Sequence, residues 1–368
     1  MPKSGRKVHI GILMSKIRVG IIGTGNISHF HMKGYKKLEA EGIVELVAAC
    51  DIDADKLAGY KDRYGFQRTY TDYNEMMANE ELDCVSVCTW NAAHKGATIA
   101  ALRGGANVLC EKPMAMNAAE AEEMLAASKE TGKLLQIGFV RRFGRDAEII
   151  NDFREAGTLG DIYFAKATYL RRDGCPGGWF GDKKYSGGGP LIDLGVHVID
   201  LTRYLAGGPK PVSVFGKTYN NLGCRRAKGG DDAWDAPVGT NEYEYTVEDF
   251  ATALITFDSG LTLNVEASFN LNLEHDVGNV ELFGTKAGLK LDPGVEIYAD
   301  MAGRYVNIKP TGETGFDMNS CEREIVGFIN ASQGKEECRA TGEDGLVLMK
   351  ILDAIYESAE TGKSVEIK

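Results

Sequence analysis

A chain of 368 residues exceeds the ~250–300 residues that one hydrophobic core supports, and its 43% apolar content suffices for two packed units. Its net charge of −11 excludes nucleic acid as a main partner, because phosphate binding needs clustered Lys and Arg. No apolar run approaches the ~20 residues of a membrane span, and the basic first residues lack a secretory apolar core, so no membrane contact and a cytoplasmic location are expected.

Residues 1–13 are set aside as an extension, because Met14-Ser15-Lys16-Ile17 makes a natural start. From there strands are expected at Ile17–Ile22, Val44–Cys50, Cys84–Cys88, Asn107–Cys110 and Leu134–Gly138. Helical patterns fall between them at Ile27–Ala40, Ala54–Tyr64, Asn74–Ala78, His94–Arg103 and Ala118–Thr131. This alternation predicts an α/β fold whose first unit, residues 14–140, is a doubly wound parallel sheet of the Rossmann type. Cys50, Cys84, Cys88 and Cys110 lie in or end these apolar runs and read as small hydrophobes. No C-x₂-C spacing occurs among the eight cysteines, and no metal is expected.

The first strand runs into Gly23-Thr24-Gly25-Asn26-Ile27-Ser28, which opens a helix. Glycines there permit a tight turn and close approach of backbone to a pyrophosphate, seated on the helix N-terminus. Ser28 stands where the motif usually has a third glycine. Asp51, at the end of the second strand, is placed to accept from the adenosine ribose. A 2′-phosphate ~4 Å from that carboxylate would meet about 4 kcal/mol of repulsion per charge pair at an effective dielectric of ~20, so NAD is expected over NADP. Asp53 suits the N-cap of the next helix. Two more landmarks sit at strand ends, where open α/β sheets present ligands: Thr89-Trp90-Asn91-Ala92-Ala93-His94 and Glu111-Lys112-Pro113. The proline restricts Lys112 to extended geometry and so sets its direction.

Arg141 and Arg142 follow the fifth expected strand and point toward a cleft between the units. Trp179, Phe180 and Lys183 precede Ser186-Gly187-Gly188-Gly189-Pro190, and the aromatic faces suit a sugar surface. From Pro190 a helix is expected, which would set Asp193 and His197 one turn apart on one face. His29 and His31 read as packed or solvated side chains of the first helix. Asn220–Asn241 reads as a long polar loop.

Together the Gly23 turn, Thr89-x-Asn91-x-x-His94, Glu111-Lys112-Pro113, Ala156–Gly160, Gly187–His197 and the run from Glu343 through Ala359 resemble the Gfo/Idh/MocA oxidoreductases. That is the family of glucose–fructose oxidoreductase and inositol dehydrogenase. Trp90 departs from the family's usual proline. The resemblance implies a second, α+β domain over 141–368 with an open, largely antiparallel sheet used for substrate binding and for a homodimer or homotetramer. Strand patterns at Ile162–Leu170, Pro211–Thr218, Glu248–Phe257, Thr262–Phe269 and Asn279–Phe283 agree with it. It implies cofactor contacts from Gly23, Thr24, Gly25, Asn26, Ile27, Asp51, Thr89, Trp90, Asn91, His94, Glu111 and Lys112. It also implies a sugar, cyclitol or glycoside held by Arg141, Trp179, Lys183, Asp193 and His197. Lys112 would favour ionisation of the reacting hydroxyl, His197 would take its proton, and Asp193 would orient His197 or grip a neighbouring hydroxyl. Two other activities fit the same family pattern: glycoside cleavage through transient oxidation and elimination, and non-catalytic NAD sensing.

Overall fold

The computed structural model describes residues 15–223, 244–312, 315, 317 and 319–368. The expected extension at 1–13 and most of the expected Asn220–Asn241 loop therefore lie outside the described residues. The first sheet collects β1 (Ile17–Ile22), β2 (Val44–Cys50), β3 (Arg68–Tyr70), β4 (Cys84–Val87), β5 (Asn107–Cys110) and β6 (Leu135–Ile137). All are parallel, in the order β3-β2-β1-β4-β5-β6. The order reverses between β1 and β4, which opens a crevice beyond their carboxyl ends. The intervening helices are α1 (Asn26–Ala40), α2 (Ala54–Tyr64), α3 (Tyr73–Asn79), α4 (Asn91–Arg103) and α5 (Ala118–Thr131). Asp53 caps α2 by accepting from the backbone N–H groups of Asp55 and Lys56. The edge strand β3 was not expected from the sequence; its residues Arg68, Thr69 and Tyr70 are exposed or half-buried and form no apolar run.

Beyond β6 the chain forms α6 (Arg145–Glu155), β7 (Ile162–Leu170), the single turn α7 (Lys183–Ser186) and α8 (Val196–Leu205). Strands β8 (Pro211–Tyr219), β9 (Phe250–Phe257), β10 (Thr262–Ser268), β11 (Val277–Gly284), β12 (Ala287–Lys290), β13 (Glu296–Met301) and β14 (Arg304–Ile308) follow. The chain closes with α9 (Ser320–Ser332), α10 (Gly342–Thr361) and β15 (Val365–Glu366). The second sheet has nine strands, in the order β14-β13-β12-β11-β7-β10-β9-β8-β15. Its pairs are antiparallel except β7 with β10. Strands β12 to β15 were not expected from the sequence; they lie at the sheet's margins.

The two sheets share one core. A continuous apolar cluster runs from Val108 and Ile137 through Ile199 to Leu263 and Val265. On the other face of the first sheet, Ile325 and Phe328 of α9 pack among Met32 and Tyr35 of α1 and Ile21 of β1. The C-terminal segment thus returns to the nucleotide-type sheet. No helix among the described residues is long and apolar enough to cross a membrane.

A buried charge network ties the join. Arg142, expected from sequence to point into the cleft, is 2% exposed and turned inward instead. Its guanidinium donates twice to the Asp200 carboxylate on α8, at 2.9 and 2.6 Å, and to Asp344 on α10 at 2.8 Å. Arg203 donates to the other Asp344 oxygen at 2.8 Å. Removing one partner of such a network leaves a buried charge unpaired. Arg142→Ala is expected to lower unfolding free energy by about 3–5 kcal/mol in urea titrations; a loss of under ~1 kcal/mol would show the network to be dispensable.

Candidate active site

A cavity of about 340 Å³ opens at the carboxyl ends of β4 and β5, between the two sheets. The first sheet contributes Thr89, Asn91, Glu111 and Lys112 to its lining, and α1 contributes Ile27, Phe30 and His31. From the second unit come Arg141, Tyr169, Arg171, Trp179, Phe180, Asp193 and His197, and from α9 come Cys321 and Glu324. Of the candidate ligand-contacting residues singled out in the sequence, the fold brings Ile27, Thr89, Asn91, Glu111, Lys112, Arg141, Trp179, Phe180, Asp193 and His197 to this one cavity.

The loop carrying Lys112 is held from below. His94 is buried, with Nδ1 2.7 Å from the Pro113 carbonyl and Nε2 3.1 Å from the Thr89 carbonyl. Burial lowers its pKa, against the pull of the two carbonyls, and the ring lies between the two strand-end loops. The Asn91 amide donates to the Ser186 carbonyl at 2.7 Å and pins the glycine loop to the N-terminus of α4. Trp90 packs edge-on against Tyr185, ring centroids 5.8 Å apart, and does not line the cavity.

The Lys112 ammonium donates to Asp193 Oδ1 at 2.8 Å and to the Asp193 backbone carbonyl at 3.0 Å. Lysine has three N–H donors, so one remains for a ligand. The Asp193 carboxylate therefore holds Lys112, and it makes no hydrogen bond with His197 among the described residues. Leu191–Gly195 winds as a π-turn before α8 begins, and from it the Asp193 side chain reaches Lys112. The Glu248 carboxylate receives the Gly189 and Leu191 N–H groups at 3.0 and 3.2 Å and the Tyr356 hydroxyl at 3.0 Å. A Cβ at Gly188 would collide with the Tyr356 hydroxyl, and one at Gly189 with the Glu248 carbonyl, so only glycine permits this seat.

His197 presents its accessible face to the cavity. Burial pushes its pKa well below the ordinary value, and Lys112, Arg141 and Arg171 push the same way. The ring is neutral at physiological pH and can accept a proton. Arg141 bonds Asp146 at 3.2 Å while reaching the cavity edge. Trp179 stacks on Phe180 at 3.9 Å between centroids, making an apolar wall. Lys183 is exposed, lies over the Tyr356 ring and does not line the cavity. Tyr169 and Arg171, unmarked in the sequence, extend from the end of β7, with the guanidinium 5.4 Å from the Tyr169 ring centroid. Alternate positions at a strand end were the signal available for them.

The glycine turn lies beyond the cavity and fits a dinucleotide. Gly23 has φ +92°, and a Cβ there would meet the Cys88 carbonyl at 2.5 Å. Gly25 faces open space, and α1 starts without a side-chain cap, which leaves backbone N–H groups for an anion. Asp51 Oδ2 accepts from the Thr24 N–H and hydroxyl, both at 2.7 Å, and Oδ1 from the Asp53 N–H at 3.0 Å. A carboxylate has about four acceptor positions, so capacity for a ribose hydroxyl remains. Asn26 is exposed at the same turn. Ser28, at the third motif position, donates to the Gly25 carbonyl at 2.7 Å. His31 is buried, and His29 bonds the Tyr64 hydroxyl at 2.7 Å. The cysteines of the first sheet are buried, and burial pushes the Cys110 thiol up to about 12. His31, Glu111 and Glu324 bring ligand-type atoms within 4.8 Å of one another, a grouping from three distant segments that spacing along the chain does not reveal.

The histidine assignment has a direct check. In histidine-selective NMR the His197 ring should stay neutral from pH 8 down past the ordinary value of ~6.5, and Arg171→Met should move its titration upward. A midpoint at or above ~6.5 in the native protein would contradict the cationic, buried setting.

Residues 17–139 match the profile of an oxidoreductase family with an NAD-binding Rossmann fold, GFO_IDH_MocA, and residues 149–290 match the GFO/IDH/MocA C-terminal domain. The chain is 36% identical to D-glucoside 3-dehydrogenase of Escherichia coli, over 96% of this chain and 98% of that one. It is 27% identical to myo-inositol 2-dehydrogenase of Thermotoga maritima, over 96% and 99%. Among solved structures, a levoglucosan dehydrogenase in complex with NADH and L-sorbose superposes with a TM-score of 0.82 at 23% identity, covering 96% of this chain and all of that one.

Proposed function

Because the chain belongs to the Gfo/Idh/MocA family of NAD-binding oxidoreductases, we propose that it is a dehydrogenase oxidising a secondary hydroxyl of a sugar, cyclitol or glycoside. The observation that carries this reading is the juxtaposition of a neutral His197 with a Lys112 ammonium that keeps one N–H unspent. The name of the E. coli relative makes a D-glucoside the first substrate class to test. The stacked Trp179 and Phe180 support it, since an aromatic wall suits the C–H face of a pyranose and excludes water.

In this reading Asp193 aims Lys112, whose remaining N–H bonds the reacting hydroxyl oxygen and stabilises negative charge as it develops there. His197 takes the hydroxyl proton at a ring nitrogen. Arg141 and Arg171 keep His197 unprotonated beforehand and can reach neighbouring substrate oxygens. Gly23, Thr24, Gly25, Asn26, Ile27 and Asp51 would hold the adenosine and pyrophosphate, with Thr89, Asn91, Glu111 and Lys112 toward the nicotinamide; Trp90 and His94 support those loops. When bound, NAD supplies the carbon that accepts hydride. The expected cytoplasmic homo-oligomer accompanies this reading. Phe215 and Leu254, paired across β8 and β9 and 52% and 45% exposed on the outer face of the second sheet, support association there.

With NAD and a panel of glucosides, free sugars and inositols, near-ultraviolet absorbance should report net NADH from one class. NADH retained on the protein, with glycoside cleaved and none released, would instead favour transient oxidation. His197→Ala should lower kcat at least about tenfold, toward the ~10²–10⁴ typical of a lost proton acceptor, with NAD affinity nearly intact; unchanged turnover would remove it from that role. Catalytic efficiency with NADP should be far below that with NAD, and comparable values would refute the role given to Asp51.

A further inference from the structure

Glu324 on α9 is 1% exposed, lines the cavity, and has an Oε1 atom with no hydrogen-bond partner. Its neighbours are satisfied. Glu111 Oε1 pairs with His31 Nε2 at 2.8 Å, and Glu111 Oε2 accepts from the Lys112 N–H at 3.1 Å. His31 Nδ1 lies 3.1 Å from the Ser86 hydroxyl. An orphaned oxygen in an otherwise completed buried group calls for a partner that enters with a ligand.

Position and protonation say which one. Asp51 and the Gly25 turn bracket the adenosine half of a dinucleotide, so its other half must cross the reversal between β1 and β4 and end over β4 and β5. That is where Thr89, Glu111 and Lys112 meet Glu324. Two buried carboxyl groups this close cannot both ionise readily. Glu111, paired with His31 and beside Lys112, keeps the charge, and Glu324 keeps a proton. A protonated carboxyl offers an O–H donor beside a C=O acceptor, and a primary carboxamide offers the complementary acceptor and N–H donor.

We propose that Glu324 binds the carboxamide of the nicotinamide ring, so that the C-terminal part of the chain completes a cofactor site begun by the first sheet. The proposal rests on the NAD reading above. Burial and the Glu111 charge push the Glu324 carboxyl well above the usual carboxylate range, in keeping with its donor role.

Calorimetric dissociation constants for NADH and for ADP-ribose, which lacks the nicotinamide, test it on the full chain. Glu324→Leu should weaken NADH about five- to tenfold and leave ADP-ribose within about twofold, whereas Glu324→Gln, which retains a donor and an acceptor, should keep most NADH affinity. Native protein should also bind reduced 3-acetylpyridine adenine dinucleotide, whose methyl ketone lacks the N–H, more weakly than NADH; this arm needs no variant to fold. Equal losses of NADH and ADP-ribose in Glu324→Leu, or equal affinities of native protein for the two reduced dinucleotides, would overturn the proposal. So would a rise in melting temperature with Zn²⁺ or Mn²⁺ that vanishes in Glu324→Gln, since the orphan oxygen would then serve a cation. Native protein that fails to bind ADP-ribose would instead remove the NAD reading itself.

Discussion

The guanidinium of Arg142 is the constraint on which the site depends. It leaves the first sheet just after β6 and, from a buried position, grips Asp200 on α8 and Asp344 on α10 at once. Its planar fork matches a carboxylate in two parallel hydrogen bonds, so it fixes orientation as well as distance. The helix it holds, α8, is the one that carries His197 and follows Asp193. Without such a tie, a packed interface between two sheets would set their separation only loosely, and Lys112 and Asp193, which come from opposite sides, must meet at 2.8 Å.

Within the cavity, burial and charge act in one direction on His197 and in opposite directions elsewhere. Removing water disfavours the imidazolium, and three nearby cations disfavour it further, so the ring stays ready to accept a proton. For Asp344 the guanidinium of Arg142 and the charge of Arg203 overcome the burial that would raise its pKa, and its carboxyl is held below the usual value. For Asp200 burial wins despite the same arginine, and the carboxyl is raised. Asp200 is the deeper, at 3% side-chain exposure against 23%, and it also feels the Asp344 charge, whereas Asp344 is hydrogen-bonded by two arginines.

The π-turn before α8 shows how a local pattern is rewritten by its surroundings. Four-residue spacing between Asp193 and His197 implied one helical face. The carboxylate of Glu248, arriving from the approach to β9, and the hydroxyl of Tyr356, from α10, seat the glycine loop that leads into the π-turn. Asp193 is committed to Lys112, a partner from the first sheet.

Periodicity and turn chemistry alone determined the parallel first sheet, five of its six strands, the glycine turn with Asp51, the cap at Asp53 and the buried cysteines. Each of these depends on residues close together in the chain, where side-chain period and backbone preference act directly. The partners of Lys112, the inward turn of Arg142, the cavity positions of Tyr169, Arg171 and Glu324, and the marginal strands β3 and β12 to β15 were decided by tertiary structure. Lys112 and Asp193 are 81 positions apart, and Arg142 and Asp344 are 202. Which charges meet, and which are stripped of water, depends on how the two sheets pack, and no spacing within one segment encodes that.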